Sequence, residues 1–204
     1  MNLKLKLVAL NEAYTGDIHG TRGADYACYR ESRRAGLRGT FRALLSSRVQ
    51  NLDGIVRQAD RRLPVSNLRG DILFSSWADV FNGDAGPLPH PLRLYSFSGR
   101  NVLQDYTWPH KAIWHGALLT GERALDHSCD AWHTSAGDKV GLAASLKGGK
   151  LLDQTPYSCD KRLILLCIEA TTEPFVQRRR RDTDNRSDGF LTEEEYYNLL
   201  ETIH

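Results

Sequence analysis

Residues 162–168 read Arg-Leu-Ile-Leu-Leu-Cys-Ile, with six apolar residues in succession. An apolar run without polar alternation is typical of a strand that is covered on both faces. We therefore predict a strand here that is central to a sheet. Residues 3–10 instead alternate leucine with lysine before an apolar end, which predicts a half-exposed first strand. Residues 41–45 and 92–97 predict two further strands.

Apolar side chains at helical spacing predict three helices. The first covers residues 24–35, and Gly36 would end it. The second covers residues 52–62, where apolar positions at i, i+3, i+4 and i+7 leave arginines on the polar side. Residues 75–81 resemble a short capped helix. Because strands and helices do not alternate regularly, the chain is predicted to be α+β.

The net charge of +2 conceals an uneven distribution of charge. Residues 173–204 hold five basic and eight acidic side chains, whereas residues 1–172 hold 22 basic and 17 acidic ones. Arginine dominates over lysine among the basic residues, and its planar fork suits bidentate contact with sulfate, phosphate or carboxylate. This composition favours a polyanionic partner, with ordinary solvated arginines as the alternative.

The composition changes after residue 170, so we predict a domain over residues 1–170 and a tail outside the main fold over residues 171–204. The tail would comprise a linker, a polybasic run and an acidic stretch able to form a short helix. Arg178–Arg181 fits a proprotein convertase site, with a polybasic linker or a nuclear signal as alternatives. Asp184–Glu195 resembles an EF-hand loop, although Arg186 occupies a ligand position.

The chain has four cysteines and no CxxC pair, which favours two disulfides over a zinc site. The count alone leaves three pairings open, and it also leaves open a cytosolic protein with free thiols. No segment approaches the roughly 20 apolar residues of a membrane span, so we expect no membrane insertion. The first ten residues are too polar for a signal peptide, so secretion would require a signal on a longer precursor.

Eight stretches, in order and with matching spacing, make the chain recognisable. They are Leu-Val-Ala-Leu-Asn at 7–11, Gly-Thr-Arg-Gly-Ala-Asp-Tyr-Ala-Cys at 20–28, Ala-Gly-Leu-Arg-Gly-Thr-Phe-Arg-Ala-Leu-Leu-Ser-Ser-Arg at 35–48, Ile-Val-Arg-Gln-Ala-Asp-Arg at 55–61, Leu-Phe-Ser-Ser-Trp at 73–77, Thr-Trp-Pro-His-Lys at 107–111, Trp-His-Gly at 114–116 and Leu-Leu-Cys-Ile-Glu at 165–169. Across roughly residues 5–170 the sequence resembles endostatin, the C-terminal domain of the type XV and type XVIII collagens (multiplexins).

The resemblance implies a fold that the spacing alone does not show. Endostatin has a C-type-lectin-like α+β fold with a twisted mixed sheet, a main helix and long loops. Its two disulfides are nested, and carried across by motif they join Cys28 to Cys167 and Cys129 to Cys159.

The resemblance also implies that arginines bind heparin and heparan sulfate. The positions that match or adjoin the family's basic positions are Arg22, Arg42, Arg48, Arg57, Arg61 and Arg62. Two family-basic positions are lost here, to His133 and Gln58. Arginines at 30, 33, 34 and 38 would compensate if they face the same way.

We predict no metal and no cofactor. Mammalian members of the family bind zinc through N-terminal histidines and an aspartate, but this chain has Lys6 at the last histidine position and no histidine before it. An ammonium group is not a zinc ligand. The aspartate position falls at Gly70 or Asp71.

The sequence therefore predicts a secreted, non-enzymatic domain of a basement-membrane collagen. It would bind heparan sulfate and matrix or cell-surface proteins, modulate adhesion or migration, and trimerise only through collagen segments upstream. No nucleic-acid partner is expected. One alternative is a protein-interaction domain with incidental arginines. A remote alternative is a hydrolase, which would need a buried pair such as His115 with Ser96 or Ser98.

Overall fold

The computed structural model describes residues 3–172 and 190–203, and its central element is strand β8 (Leu163–Thr171). All nine residues of β8 are buried, which confirms the prediction of a strand covered on both faces. Strands β1 (Leu5–Tyr14) and β2 (Thr40–Ala43) pair with it in antiparallel fashion, whereas β5 (Ala112–Trp114) pairs in parallel.

The other strands extend the sheet outward in the order β4-β3-β1-β8-β5-β6-β7. They are β3 (Val65–Ser66), β4 (Ile72–Phe74), β6 (Val140–Ser145) and β7 (Thr155–Ser158). Since parallel and antiparallel pairs occur together, the sheet is mixed, and the α+β class is confirmed.

Successive side chains of β8 enter two different cores, as the pleat of a strand requires. Ile164, Leu166 and Ile168 pack in a cluster with Trp77 and Trp108. The alternate side chains, among them Leu165 and Cys167, pack on the other face with Trp114 and Trp132. The four tryptophans are fully buried, so they fill the two cores and do not stack on a ligand at the surface.

Helix α1 (Gly20–Arg34) covers the second face of the sheet. It ends where predicted, at Gly36, whose φ of 73° lies in the left-handed region that glycine favours. Cys28 of α1 is bonded to Cys167 of β8, and Cys129 is bonded to Cys159 inside that loop. The structure thus has the nested pairing that the resemblance implies.

The predicted helix over residues 52–62 is wrong. The segment forms two 3-10 turns, Asp53–Ile55 and Gln58–Asp60, separated by extended backbone at Val56. The physical reason is the amide of Arg57, which donates to the carbonyl of Ala170 at the end of β8 and so leaves the local helical pattern.

Two other short elements differ from prediction. Residues 92–97 form only isolated bridges, because a turn at Gly99 reverses the chain directly after Ser96. Residues 75–81 shorten to a 3-10 turn over Ala78–Phe81, with the Ser76 hydroxyl accepting from the Asp79 amide at its start. A single helical turn, α2 (Cys129–Trp132), has positive φ throughout.

The last helix, α3 (Glu193–Ile203), lies in the segment predicted as the tail and packs against the domain. Tyr196 of α3 is fully buried against Tyr29 of α1, and its hydroxyl donates to the carbonyl of Phe41 in β2. Arg178–Arg181 and most of the EF-hand-like stretch lie outside the described residues.

Removing the outer disulfide should cost more stability than removing the inner one. The outer cysteines are 139 residues apart and the inner ones 30. Loop entropy then gives losses of about 5 kcal/mol for Cys28→Ala with Cys167→Ala, and about 4 kcal/mol for Cys129→Ala with Cys159→Ala. Denaturant unfolding without reductant measures both. The loop-length argument is contradicted by a larger loss for the inner pair.

Candidate anion-binding surface

The predicted arginines lie on four adjoining pieces of the chain. Arg22 is on α1 and Arg42 on β2, while Arg48 is in the loop that follows β2. Arg57, Arg61 and Arg62 are in the segment of 3-10 turns, which the Arg57 amide fastens to the end of β8. After β2 the chain runs toward the start of β8, since the Leu44 amide donates to the Leu166 carbonyl, and the Arg57 amide brings it back to the other end of the strand at Ala170.

Gln50 connects β2 with the 3-10 turns. Its side-chain Oε1 accepts from Nη2 of Arg42 at 3.0 Å, and its side-chain Nε2 donates to the carbonyl of Gly54 at 3.0 Å. The backbone amide of Gln50 donates to the Ser47 hydroxyl at 3.0 Å. These bonds fix the loop on both sides of Arg48, whose side chain is exposed.

The Arg61 side chain is held in place by the segment that precedes it in the chain. Its Nε donates to the carbonyl of Val56 at 3.0 Å, and its Nη1 lies 3.7 Å from the Asp53 carboxylate. The side chain remains 33 % exposed, so part of the fork faces solvent in a fixed orientation. Arg62 is exposed beside it, and Arg57 is half-buried. Fixed donors of this kind lose little conformational entropy when an anion binds.

Arg42 differs from the rest of the predicted set because its guanidinium is paired inside the fold. Its side chain is only 14 % exposed, and both Nε and Nη2 donate to Oδ2 of Asp25 at 3.2 Å. The other carboxylate oxygen of Asp25 accepts from the amide of Ala43 at 2.8 Å. Burial raises the pKa of the Asp25 carboxyl, against the opposing effect of Arg42 and the Ala43 amide. Arg42 is thus a structural counter-charge between α1 and β2.

Arg22 and its helical neighbours contact aromatic rings. The guanidinium carbon of Arg22 lies 4.2 Å from the ring centre of Tyr197 in α3. Arg30 lies over Tyr26 at 5.6 Å, and Arg33 over Tyr29 at 5.5 Å. The α1 arginines therefore surround an aromatic cluster beneath α3. Sequence reasoning missed this arrangement because the two tyrosines of α1 are far along the chain from the two of α3.

Lys6, at the position of the family's last N-terminal histidine, has a different role. Its amide donates to Oε2 of Glu169 at 3.1 Å, and its Nζ lies 3.8 Å from the same oxygen. Burial raises the pKa of Glu169, and Lys6 acts against it. Among residues 3–172 and 190–203 no three His, Cys, Asp or Glu side chains group as a metal site.

His115 does not form the pair that a hydrolase would need. It is fully buried, its Nδ1 accepts from the amide of Ala117 at 2.9 Å, and its Nε2 bonds the carbonyl of Asp153 at 2.7 Å. Both ring nitrogens are therefore used by the backbone. The hydroxyls of Ser96 and Ser98 bond each other at 3.0 Å. Burial lowers the pKa of His115 to about 4, so the ring is neutral at physiological pH.

No helix in the two described ranges has the length and apolar character needed to cross a bilayer.

Comparison with known proteins gives one family and a curated relative. The family model described as "Collagenase NC10 and Endostatin" matches residues 5–173. The human collagen alpha-1(XVIII) chain is 48 % identical over 166 residues, which is 81 % of this chain and 10 % of the human one. This chain therefore spans about a tenth of the length of that relative, and α3 lies beyond the residues that the family model matches.

The Arg42→Met variant should test the structural role of Arg42. It would leave the Asp25 carboxylate buried without its counter-charge, and breaking a buried pair in this way costs about 3–5 kcal/mol. Denaturant unfolding measures the loss. Arg48→Met, at an exposed position, is the matched control and should change stability by less than about 0.5 kcal/mol. Equal effects of the two variants would refute the structural role.

The buried His115 should make stability fall in acid. Its folded pKa of about 4 lies below the ordinary value of 6.5, so the unfolded chain binds a proton first. The contribution of neutral His115 is complete above pH 6.5 and is lost, by about 3 kcal/mol, as pH falls to 4. Denaturant unfolding of wild type and His115→Gln across this range isolates the effect, because other groups cancel. If wild type and His115→Gln lose stability by the same amount as pH falls, the contribution of His115 is contradicted.

Proposed function

Because the chain belongs to the endostatin family, we propose that it is a non-enzymatic, collagen-derived domain of the extracellular matrix that binds heparin and heparan sulfate through arginines. The surface set is Arg48, Arg57, Arg61 and Arg62, with Arg22 at its border. The observation that carries the proposal is the fixed, partly exposed fork of Arg61 beside exposed Arg62 at the end of β8.

The chemistry suits a sulfated glycan. Guanidinium groups bind sulfate in a bidentate manner, and neutralising a dense line of negative charge releases counterions. Binding should therefore weaken steeply as salt rises. An interior-facing Arg42 does not remove the surface, because its Gln50 contact still positions the loop that carries Arg48.

The absence of an enzymatic role is part of the proposal. The endostatin and collagen family is generally non-enzymatic, and His115, which is fully buried, uses both ring nitrogens on the backbone. We also propose that the fold is related to C-type lectin domains, that the domain acts in basement membrane, and that it modulates cell adhesion or migration with matrix or cell-surface proteins as further partners.

A protein-interaction domain is the second candidate, and one observation favours it. Apolar side chains stand exposed on two loops that the bond from the Leu52 amide to the Gly121 carbonyl joins. Val49 is 88 % exposed and Leu125 is 63 % exposed, and Leu118 and Leu119 are less exposed than either. Exposed apolar groups beside arginines are typical of a surface that binds a protein partner.

Charge reversal separates the two candidates. Arg48→Glu with Arg62→Glu should lower the salt concentration of elution from immobilised heparin and reduce the slope of log affinity against log salt by roughly one to two. Both side chains are exposed, so the fold should survive.

The matched control reverses Lys161 and Arg162, two exposed cations at the opposite end of β8. It changes net charge by the same amount, and we expect a much smaller shift in elution. If both pairs shift elution equally, or if wild type elutes at low salt, the arginines are incidental and the glycan-binding proposal is lost.

A further inference from the structure

Helix α3 is an addition to the domain that the family match covers, and it sits on the arginine-bearing face of α1. We propose that α3 is an intramolecular cap that competes with a sulfated glycan at Arg22. This inference rests on the proposed glycan binding and concerns the regulation of that same surface.

Aromatic packing docks α3. Tyr196 is fully buried, stacks on Tyr29 with ring centres 4.7 Å apart, and lies 6.1 Å from the ring of Tyr26. Its hydroxyl donates to the carbonyl of Phe41 at 3.0 Å, which fastens the helix to β2 as well as to α1. Leu200, one turn further along α3, is buried in the same cluster.

The start of α3 is also fixed. The Leu191 amide donates to the Tyr29 hydroxyl at 3.1 Å, and the Leu191 carbonyl accepts from the Tyr26 hydroxyl at 3.2 Å. Thr192 and Glu195 form a capping box: the Glu195 carboxylate accepts from the Thr192 amide at 2.8 Å, and the Thr192 hydroxyl accepts from the Glu195 amide at 3.3 Å. The helix therefore has one defined position on the domain.

In that position α3 contacts Arg22, whose side chain stays exposed on its other side. Tyr197 stacks on one face of the Arg22 guanidinium. Tyr196 is bonded to Phe41, the residue before Arg42, and Arg42 is buried. Displacing α3 would thus free the second face of the Arg22 guanidinium, while Arg42 would stay paired with Asp25.

The exposed side of α3 is acidic. Glu193, Glu194, Glu195 and Glu201 are all exposed, and no Lys or Arg lies in the helix. Four carboxylates next to a basic surface repel a polyanion and lower its local concentration. The cap therefore acts on the glycan in two ways, by occupying one face of Arg22 and by opposing charge.

The docking is built to be reversible. Eleven residues are too few for a stable isolated helix, so α3 depends on its contact with α1. The Tyr197 hydroxyl is buried without a hydrogen-bond partner among the described residues, which weakens the contact. Neither disulfide reaches α3. A ligand that prefers the undocked state can therefore shift the equilibrium.

The test is heparin affinity of the full chain with Tyr196→Ala and Leu200→Ala. Neither substitution changes charge, so a gain in affinity reports loss of the cap. We expect binding to tighten on the order of ten-fold. Asn198→Ala, at an exposed position of the same helix, is the control and should bind like wild type. Arg22→Gln should reduce affinity more in the undocked chain than in wild type.

A second measurement needs no variant. Because coupling is reciprocal, a heparin oligosaccharide should speed hydrogen exchange of the α3 amides in wild type while β8 stays protected. Unchanged or slower exchange in α3 overturns the cap. If wild type binds heparin and the undocked chain binds it equally, only the cap is refuted. If neither chain binds heparin, the proposed function fails first and the cap fails with it.

Discussion

Burial of β8 on both faces is the constraint on which the rest of the structure depends. Its alternate side chains fill two cores, and Cys167 fastens α1 to one of them. The end of the same strand receives the Arg57 amide, which redirects the 3-10 segment and its arginines. One apolar strand therefore fixes both the disulfide-linked scaffold and the place where basic side chains gather.

The Asp25–Arg42 pair shows how a family-basic position can serve the interior. Arg42 connects α1, β2 and the Gln50 loop with donors that an external anion would otherwise use. A pair of this kind adds little net stability over an apolar contact, but it is costly to break. Its worth here is geometric, because it holds the loop of Arg48 against the helix. The family motif thus predicted a cation at Arg42, but the pairing with Asp25 determines its role.

Local sequence pattern predicted three elements correctly: β8 from its unbroken apolar run, β1 from its alternation, and α1 from its helical spacing and terminal glycine. Each of these signals lies within the element itself or directly after it. Local pattern failed over residues 52–62, where one long-range bond to Ala170 outweighs helical periodicity, and over 92–97, where the turn at Gly99 intervenes. The disulfide pairing came from resemblance, since spacing left three choices. Among the site residues, Arg48 and Arg62 are exposed as the prediction needs, whereas the burial of Arg42 depends on an aspartate that no periodicity could associate with it.

The tail is the sharpest difference between charge counting and structure. Charge counting treats the acidic tail as separate from the basic domain. In the structure α3 packs on α1, so four of the acidic residues lie next to that domain. A competitor on the same chain acts at an effective concentration in the millimolar range, so even weak docking weighs against a dilute glycan. Aromatic stacking holds the helix, and salt screens it less than it screens a glycan bound by charge. Rising salt should therefore favour the capped state, because it weakens glycan binding while it leaves the docking of α3 largely unchanged. A basic domain with such a helix binds polyanions over a narrower range of ionic strength than its arginine content alone would allow.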